Sequence, residues 1–189
     1  MRTLTIDEFK LHKGNVAKYV EDGAIFIYPT DTIYGIGCNA VDEHAVGVLR
    51  SIKYRYKRPF SVIAPNKDWI RNNCDVTEEG EEWLEKLPGP YTLILKLKDK
   101  TCVAPGVCQG VDTLGVRIPD HWISELVSNI GVPVVTTSVN LTGEDFANSV
   151  ESISPKIKGK VDFAIDEGEK TGRPSTLVHL DKGGRLEER

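Results

Sequence analysis

The chain has 189 residues, enough for one domain with a substantial hydrophobic core of its own. Apolar residues make up 40% of the chain and charged residues 28%, as is usual for globular proteins. The net charge of −4 argues against a bulk attraction to nucleic acid or anionic membranes, so any such contact would need a local basic patch.

The sequence carries no sign of a membrane segment or of a zinc site. No apolar run approaches the roughly 18–20 residues that span a bilayer, and the first ten residues lack the apolar stretch of a signal peptide. The cysteines form no C-x-x-C pair, and no histidine has ligand spacing to them. We therefore predict a cytoplasmic protein with free thiols, no membrane association and no metal site built from thiols. The four cysteines are Cys38, Cys74, Cys102 and Cys108.

The first half of the chain predicts alternating strands and helices. Residues 2–6 predict a short strand and residues 7–21 a helix that Gly23 would end. A buried strand over residues 24–28 leads into a polar turn, and Asp42 suits the N-cap of the next helix. The basic run KYRYKRP follows this helix, and residues 60–64 predict another strand.

The second half continues the alternation. Thr77 is placed to cap an acidic helix, the alternating pattern of residues 91–98 predicts a strand, and residues 99–112 predict a long loop. The remaining predicted elements are strands over residues 114–119, 132–137, 161–165 and 175–180, a helix over residues 122–130 and a short helix after residue 149. We expect a single α/β domain over residues 1–189 with a mostly mixed sheet, since some connections are too short for parallel crossovers.

The turn YPTDTIYGIGCNA, residues 28–40, is the first candidate site. It places three hydroxyls, the Asp31 carboxylate and two glycines at the carboxyl end of a buried strand, where α/β sheets bind ligands. The glycines, Gly35 and Gly37, are expected to let the chain turn tightly. They match the dinucleotide fingerprint only weakly, because DTIY separates them from the strand and Arg55 stands where an acid should be.

The basic run has three possible interpretations. Lys53, Arg55, Lys57 and Arg58 could form a solvated helix end, an RNA-binding patch with the neighbouring tyrosines, or a clamp for polyphosphate. These interpretations stay open at the level of single residues.

Two further segments carry polar groups in apolar surroundings. Arg117 in the strand LGVRIP either points to solvent from an edge strand or reaches a buried anion. Ser138 and Asn140 follow the strand VPVVTT and suit either an Asx turn or a second side of the site. The G-x-S-x-G motif of a catalytic serine is absent. The groups available for catalysis are hydroxyls, backbone amides and cations, and these suit charge stabilisation at phosphorus.

Six segments occur in this order along the chain: YPTDTIYGIGCNA, Lys53-x-Arg55, LPGPYTLIL, GVRIPDH, VTTSVNLTG and STLVHL. Together they resemble the YrdC-like family of threonylcarbamoyl-AMP synthases. The resemblance implies a twisted sheet lining a concave, positively charged cavity, and a nucleotidyltransferase that joins L-threonine, bicarbonate and ATP, with Mg²⁺, into threonylcarbamoyl-AMP and pyrophosphate. It also implies a downstream transferase complex that modifies adenosine 37 of tRNA, and binding of tRNA or double-stranded RNA.

The resemblance also implies roles for individual residues, while it assigns no metal ligand. Lys53 and Arg55 would act in catalysis by offsetting charge on the triphosphate. The implied L-threonine contacts are Thr32, Arg117, Thr136 and Ser175. The implied ATP contacts are Arg55, Arg58, Thr113, Ser138, Asn140 and Arg189.

This chain departs from the family pattern at three places. The segment between Arg55 and Pro59 is one residue shorter than usual, which bears on Arg58 as the next nucleotide contact. Ile63 stands where some relatives have a histidine that contacts threonine, and Phe146 falls where the family has a serine. The chain also stops at Arg189, without the C-terminal domain of longer relatives, which predicts the short form. A non-catalytic RNA-binding module, and a relation to the longer hydrogenase-maturation carbamoyltransferases, are the alternatives.

Overall fold

The computed structural model describes residues 1–188, which form one mixed β-sheet with helices packed against both faces. The strands are β1 (Arg2–Thr5), β2 (Phe26–Tyr28), β3 (Gly35–Gly37), β4 (Ser61–Ile63), β5 (Cys74–Asp75), β6 (Tyr91–Leu97), β7 (Thr113–Arg117), β8 (Val134–Ser138), β9 (Phe163–Asp166), β10 (Thr176–His179) and β11 (Arg185–Glu187). The helices are α1 (Ile6–Leu11), α2 (Lys13–Glu21), α3 (Glu43–Lys53), α4 (Lys67–Asn73), α5 (Glu78–Glu85), α6 (Pro105–Cys108), α7 (Trp122–Ile130) and α8 (Pro155–Lys158).

The strand order is β1-β9-β2-β3-β8-β4-β7-β6-β10-β11, and β5 pairs with β6. The pairs β1/β9, β2/β9, β4/β7 and β6/β10 are parallel, whereas β3 and β8 run antiparallel to their neighbours. The predicted α/β fold with a mixed sheet is therefore confirmed. No helix within residues 1–188 is both long and apolar enough to cross a bilayer.

Two hydrophobic clusters cover the two faces of the sheet. The larger contains α3, α4 and α5 and receives Val62, while the smaller contains α1, α2 and α7 and receives the next residue, Ile63. Side chains alternate between faces along a strand, so Ser61 lies on the same face as Ile63, and Thr136 on the same face as Val134. Ser61 and Thr136 therefore lie on the face of the sheet that α2 and α7 cover only in part.

Several local predictions are wrong. The helix predicted over residues 7–21 is broken at His12 into α1 and α2, and the break lets Phe9 of α1 pack its ring 4.2 Å from that of Trp122. The region between β4 and the acidic helix contains α4 and β5, with Asn66 as the N-cap of α4. The predicted loop over residues 99–112 contains the single turn α6.

The two glycines of the first candidate turn do not act as turn residues. Both lie in β3, between β2 and β8, where a Cβ on Gly37 would overlap the carbonyl oxygen of Val135. A Cβ on Gly35 would lie 2.9 Å from the ring of Tyr28. The prediction of a glycine-dependent turn is therefore wrong, because these residues are needed for the close approach of strands and side chains.

Candidate active site

A cavity of about 280 Å³ opens where the turn after β2 meets the ends of β7 and β8. Most of its polar lining consists of hydroxyl groups, and its charged lining groups are the guanidinium groups of Arg55 and Arg117. The hydroxyl-bearing residues are Thr30, Thr32, Tyr34, Ser61, Thr92, Thr136, Thr137, Ser138 and Ser175. Strands that are distant in sequence therefore bring directed polar groups to one place.

Arg117 lies at the base of this cavity with only 5% of its surface exposed. Its Nη2 donates to Asp31 Oδ1, and Asp31 Oδ2 also accepts from the backbone N–H of Asp120 at 3.1 Å. Burial lowers the pKa of Arg117 and the Asp31 carboxylate partly opposes that shift. The guanidinium stays charged because arginine is not deprotonated in proteins. Since β7 lies inside the sheet, the interpretation of Arg117 as a solvent-facing residue of an edge strand is wrong.

Part of the Arg117 guanidinium is left for a ligand. Its Nη1 lies 3.5 Å from Thr32 Oγ1, a weak contact, and its buried Nε has no hydrogen-bond partner among residues 1–188. A buried N–H without a partner is costly, and a carboxylate in the cavity would satisfy it. The arrangement suits an anion at this end.

The turn between β2 and β3 is organised by Thr30. Its hydroxyl donates to the carbonyl of Ile33 at 2.7 Å, accepts from the backbone N–H of Thr32 at 3.1 Å, and lies 2.9 Å from the Thr32 hydroxyl. These bonds hold Thr32 in the cavity wall without any glycine in the turn itself.

A second pair of hydroxyls also lines the cavity. Thr92 Oγ1 and Ser175 Oγ are 2.7 Å apart and both residues are buried. The sequence analysis assigned Ser175 but not Thr92. The available signal was the polar position of Thr92 in the alternating strand YTLILKL.

Lys53 is buried rather than solvated, with 2% of its surface exposed. Its Nζ donates to the carbonyl oxygens of Ser138 and Asn140 and to Asn140 Oδ1, which links the end of α3 to the turn after β8. Burial, aided by repulsion from Arg55, lowers the pKa of Lys53 to about 7. The solvated helix end is therefore wrong for Lys53, whose three N–H bonds are occupied by the protein.

The rest of the basic run divides between the cavity and solvent. Arg55 lines the cavity, where Nη1 donates to Thr137 Oγ1 at 3.2 Å and Nη2 to the carbonyl of Pro59 at 2.6 Å. Arg58 is exposed and does not line the cavity, although its carbonyl accepts a hydrogen bond from Arg50. Tyr54 and Tyr56 are also exposed.

Of the other predicted contacts, Thr136, Ser138 and Ser175 line the cavity, whereas Asn140 and Thr113 do not. Asn140 instead accepts from Ser138 Oγ at 2.7 Å. Thr113 lies at the opposite end of β7 from Arg117, on the same face, so only an elongated ligand could touch both. The predicted contact at Arg189 lies outside the described residues.

Ile63 and Phe146, two of the three departures from the family pattern, have different surroundings. Ile63 is fully buried in the smaller core, so it offers nothing to a ligand. Phe146 is partly exposed and lines the cavity.

A larger cavity, of about 620 Å³, lies near the β1 edge between α2 and β9. One of its carboxylates, Asp162, already accepts from the backbone N–H of Ile25 at 2.8 Å. It is lined by Arg2 and Tyr19 but by no serine or threonine, whereas the smaller cavity gathers serine and threonine hydroxyls around a buried arginine, so the smaller cavity is the candidate active site. Within residues 1–188 no group of three His, Cys, Asp or Glu side chains is placed to hold a metal ion.

Comparison with known proteins matches residues 18–186 to a family model, Sua5_yciO_yrdC, described as "Telomere recombination". The chain is 37% identical over 169 residues to a Methanocaldococcus jannaschii protein whose provisional name is threonylcarbamoyl-AMP synthase. That match covers 87% of this chain and 78% of the relative.

Solved structures give the same grouping. The structure is similar to P. abyssi Sua5 complexed with L-threonine, with a TM-score of 0.83 and 28% identity over 95% of this chain. It is also similar to full-length HypF in a phosphate- and nucleotide-bound form, with a TM-score of 0.79 and 28% identity over 89% of this chain. The chain spans 54% of that Sua5 chain and 27% of that HypF chain.

Proposed function

Because the chain belongs to the Sua5/YciO/YrdC family, as its resemblance to YrdC-like proteins predicted, we propose that it is a threonylcarbamoyl-AMP synthase. It would form threonylcarbamoyl-AMP and pyrophosphate from L-threonine, bicarbonate and ATP, as a nucleotidyltransferase that serves tRNA modification. The observation that carries this proposal is a buried Arg117 with an unsatisfied Nε, set among hydroxyls in a cavity that also holds Arg55.

The Arg117 end suits the amino acid. A guanidinium group binds a carboxylate through paired N–H donors, and the adjacent hydroxyls of Thr32, Thr136 and Ser175 can hydrogen-bond the threonine hydroxyl and amine. Because Asp31 accepts from Nη2 and Nη1 lies beside Thr32, the ligand carboxylate would accept from the Nε–H that has no partner among the described residues.

The Arg55 end suits the nucleotide. In the proposed reaction the threonine amine adds to carbon dioxide derived from bicarbonate and loses a proton, giving a carbamate. A carbamate oxygen then attacks the α-phosphorus of ATP, the bond from that phosphorus to the bridging oxygen breaks, and pyrophosphate leaves. No protein nucleophile is needed, and alignment of the two reactants can lower the barrier by roughly 7–11 kcal/mol.

The charge on the triphosphate has few partners in the described protein. Arg55 lies in the cavity, and Lys53 reaches only the turn around Ser138 and Asn140. Since residues 1–188 offer no cluster of metal ligands, we propose that Mg²⁺ enters as part of the Mg·ATP substrate, bound by phosphate oxygens.

The partners and location follow from the proposed reaction. Threonylcarbamoyl-AMP would pass to a transferase complex that modifies tRNA, while direct binding of tRNA or double-stranded RNA and the cytoplasmic location stay predictions. The comparisons support the enzyme rather than the non-catalytic RNA-binding alternative. The 37% identity to the Methanocaldococcus jannaschii relative exceeds the 28% identity to HypF, which favours the synthase over a hydrogenase-maturation role.

Pyrophosphate release tests the proposal. We expect release only when ATP, L-threonine and bicarbonate are all present, with threonylcarbamoyl-AMP detected by mass spectrometry. A variant with Arg117→Met and Asp31→Asn serves as the matched inactive control, since it removes both charges of the buried pair together. Absence of threonine-dependent pyrophosphate from the wild-type protein would refute the proposed function.

A further inference from the structure

Arg50 is a buried cation for which the proposed reaction has no role so far. It lies on α3, one turn before Lys53, and only 5% of its surface is exposed. Within residues 1–188 no carboxylate lies within ion-pair distance of its guanidinium group. Buried arginines are usually paired with an acid, so the partners of Arg50 need an explanation.

The partners are backbone carbonyls from two separate segments. Nε donates to Gly106 and Nη2 to Val107 at 3.2 Å, both in α6. Nη1 donates to the carbonyls of Arg55 and Arg58, the latter at 3.1 Å, in the loop of residues 54–59 that we call the basic loop. A single planar guanidinium group thus ties the basic loop to α6.

An aromatic ring extends the same arrangement to Arg55. The Arg50 guanidinium carbon lies 4.4 Å from the centre of the Phe60 ring and that of Arg55 lies 5.1 Å from it. The backbone N–H of Phe60 donates to Val107, an acceptor that Arg50 also uses. Phe60 therefore sits between the two arginines and the α6 backbone.

We propose that Arg50 is a positioning residue that holds the basic loop so that the Arg55 side chain faces the nucleotide end of the cavity. The inference rests on the proposed function and deepens it. Arg50 holds the Arg55 carbonyl, while Thr137 and Pro59 hold the Arg55 side chain. Because small misplacements of a positioning group can slow catalysis greatly, loss of Arg50 should weaken the use of ATP without disturbing the threonine end.

The geometry of the guanidinium group, and not its charge alone, is what the loop requires. Five N–H donors in a rigid plane reach carbonyls on both segments, whereas a lysine ammonium is a compact charge on a flexible chain. Arg50→Lys keeps the positive charge but loses the planar arrangement of N–H donors, and Arg50→Met loses both. The pair of variants therefore separates positioning from a simple electrostatic contribution.

The kinetic test measures KM for ATP and for L-threonine separately in both variants. We expect KM for ATP to rise at least about tenfold in Arg50→Lys and in Arg50→Met, with KM for L-threonine changed less than about twofold. Val16→Ala serves as the matched control, because it removes buried side-chain atoms from α2 on the opposite face of the sheet. A normal KM for ATP in Arg50→Lys, or the same selective rise in Val16→Ala, would overturn the proposal.

Amide hydrogen exchange gives a readout that does not depend on the reaction. The backbone N–H groups of Arg55 and Phe60 should exchange at least about tenfold faster in both Arg50 variants, while that of Val135 in β8 should be unchanged. Unchanged exchange at Arg55 and Phe60, or equal acceleration at all three residues, would refute positioning. If the wild-type protein releases no threonine-dependent pyrophosphate, the proposed function fails while this measurement still decides the role of Arg50.

Discussion

The two ends of the candidate cavity, which we call the threonine end at Arg117 and the nucleotide end at Arg55 after the proposed ligands, are built on different principles. At the threonine end polar side chains bind one another, as in the Arg117–Asp31 ion pair and the Thr92–Ser175 hydrogen bond. At the nucleotide end two buried cations, Arg50 and Lys53, satisfy backbone and amide oxygens instead of carboxylates. The first arrangement makes a rigid, charge-balanced pocket, and the second leaves positive charge behind the loop that would meet the phosphates.

The threonine end should fail most severely when its ion pair is broken on one side. Arg117→Met leaves Asp31 buried without its partner, and loss of one member of a buried pair costs about 3–5 kcal/mol. Adding Asp31→Asn should restore much of the stability, while the affinity for L-threonine stays at least about 30-fold weaker, or about 2 kcal/mol. Chemical denaturation and calorimetric titration measure the two effects, and wild-type threonine affinity in the double variant would remove the role of Arg117.

Strand β3, whose Gly35 lines the cavity, should be the next most sensitive feature. Gly37→Ala forces a methyl group against the Val135 carbonyl, which we expect to cost about 3 kcal/mol or more in unfolding free energy, at the upper end of overpacking effects. Gly14→Ala in the first turn of α2 is the control, since its Cβ meets nothing within 4 Å and alanine is the better helix former. Equal stability of the two variants would show that β3 can move away from β8.

The nucleotide end should show a pH dependence that the threonine end lacks. Lys53 has its pKa lowered from 10.5 to about 7, so above pH 7 the unfolded state binds more protons than the folded state. The free energy of unfolding of the wild-type protein, minus that of Lys53→Met, should therefore rise between about pH 7 and 10. The expected slope is up to about 1.4 kcal/mol per pH unit. Denaturant unfolding at pH 7, 8 and 9 checks this, and a constant difference would contradict the burial of the ammonium group.

The smallest expected effect concerns the second hydroxyl pair. Thr92→Val keeps the shape of the side chain but removes the hydrogen bond to Ser175, and a net bond is worth about 1 kcal/mol. We expect L-threonine affinity to fall about fivefold with ATP affinity unchanged, and Thr92→Ser to retain nearly normal binding. Titration of each ligand into the three proteins measures this, and equal losses for both ligands would show that Thr92 does not belong to the threonine end alone.

The sequence by itself determined much of this protein. Hydrophobic alternation and capping residues located most strands and helices, including α7 and the Asp42 cap of α3. The order of polar segments at strand ends, with the resemblance they carry, brought together residues that do line one cavity. These are Thr32, Arg55, Arg117, Thr136, Ser138 and Ser175.

Only the tertiary structure decided what surrounds those residues. The sequence does not distinguish Lys53, which is buried, from Arg58, which is exposed, because both lie in one basic run. Nor does it show that Arg50 binds carbonyls of α6, or that Gly37 meets Val135. Composition and periodicity report which groups are apolar or charged, whereas partners distant in the chain depend on how the strands pair. That pairing is long-range, and it is what converts two polar turns into one cavity.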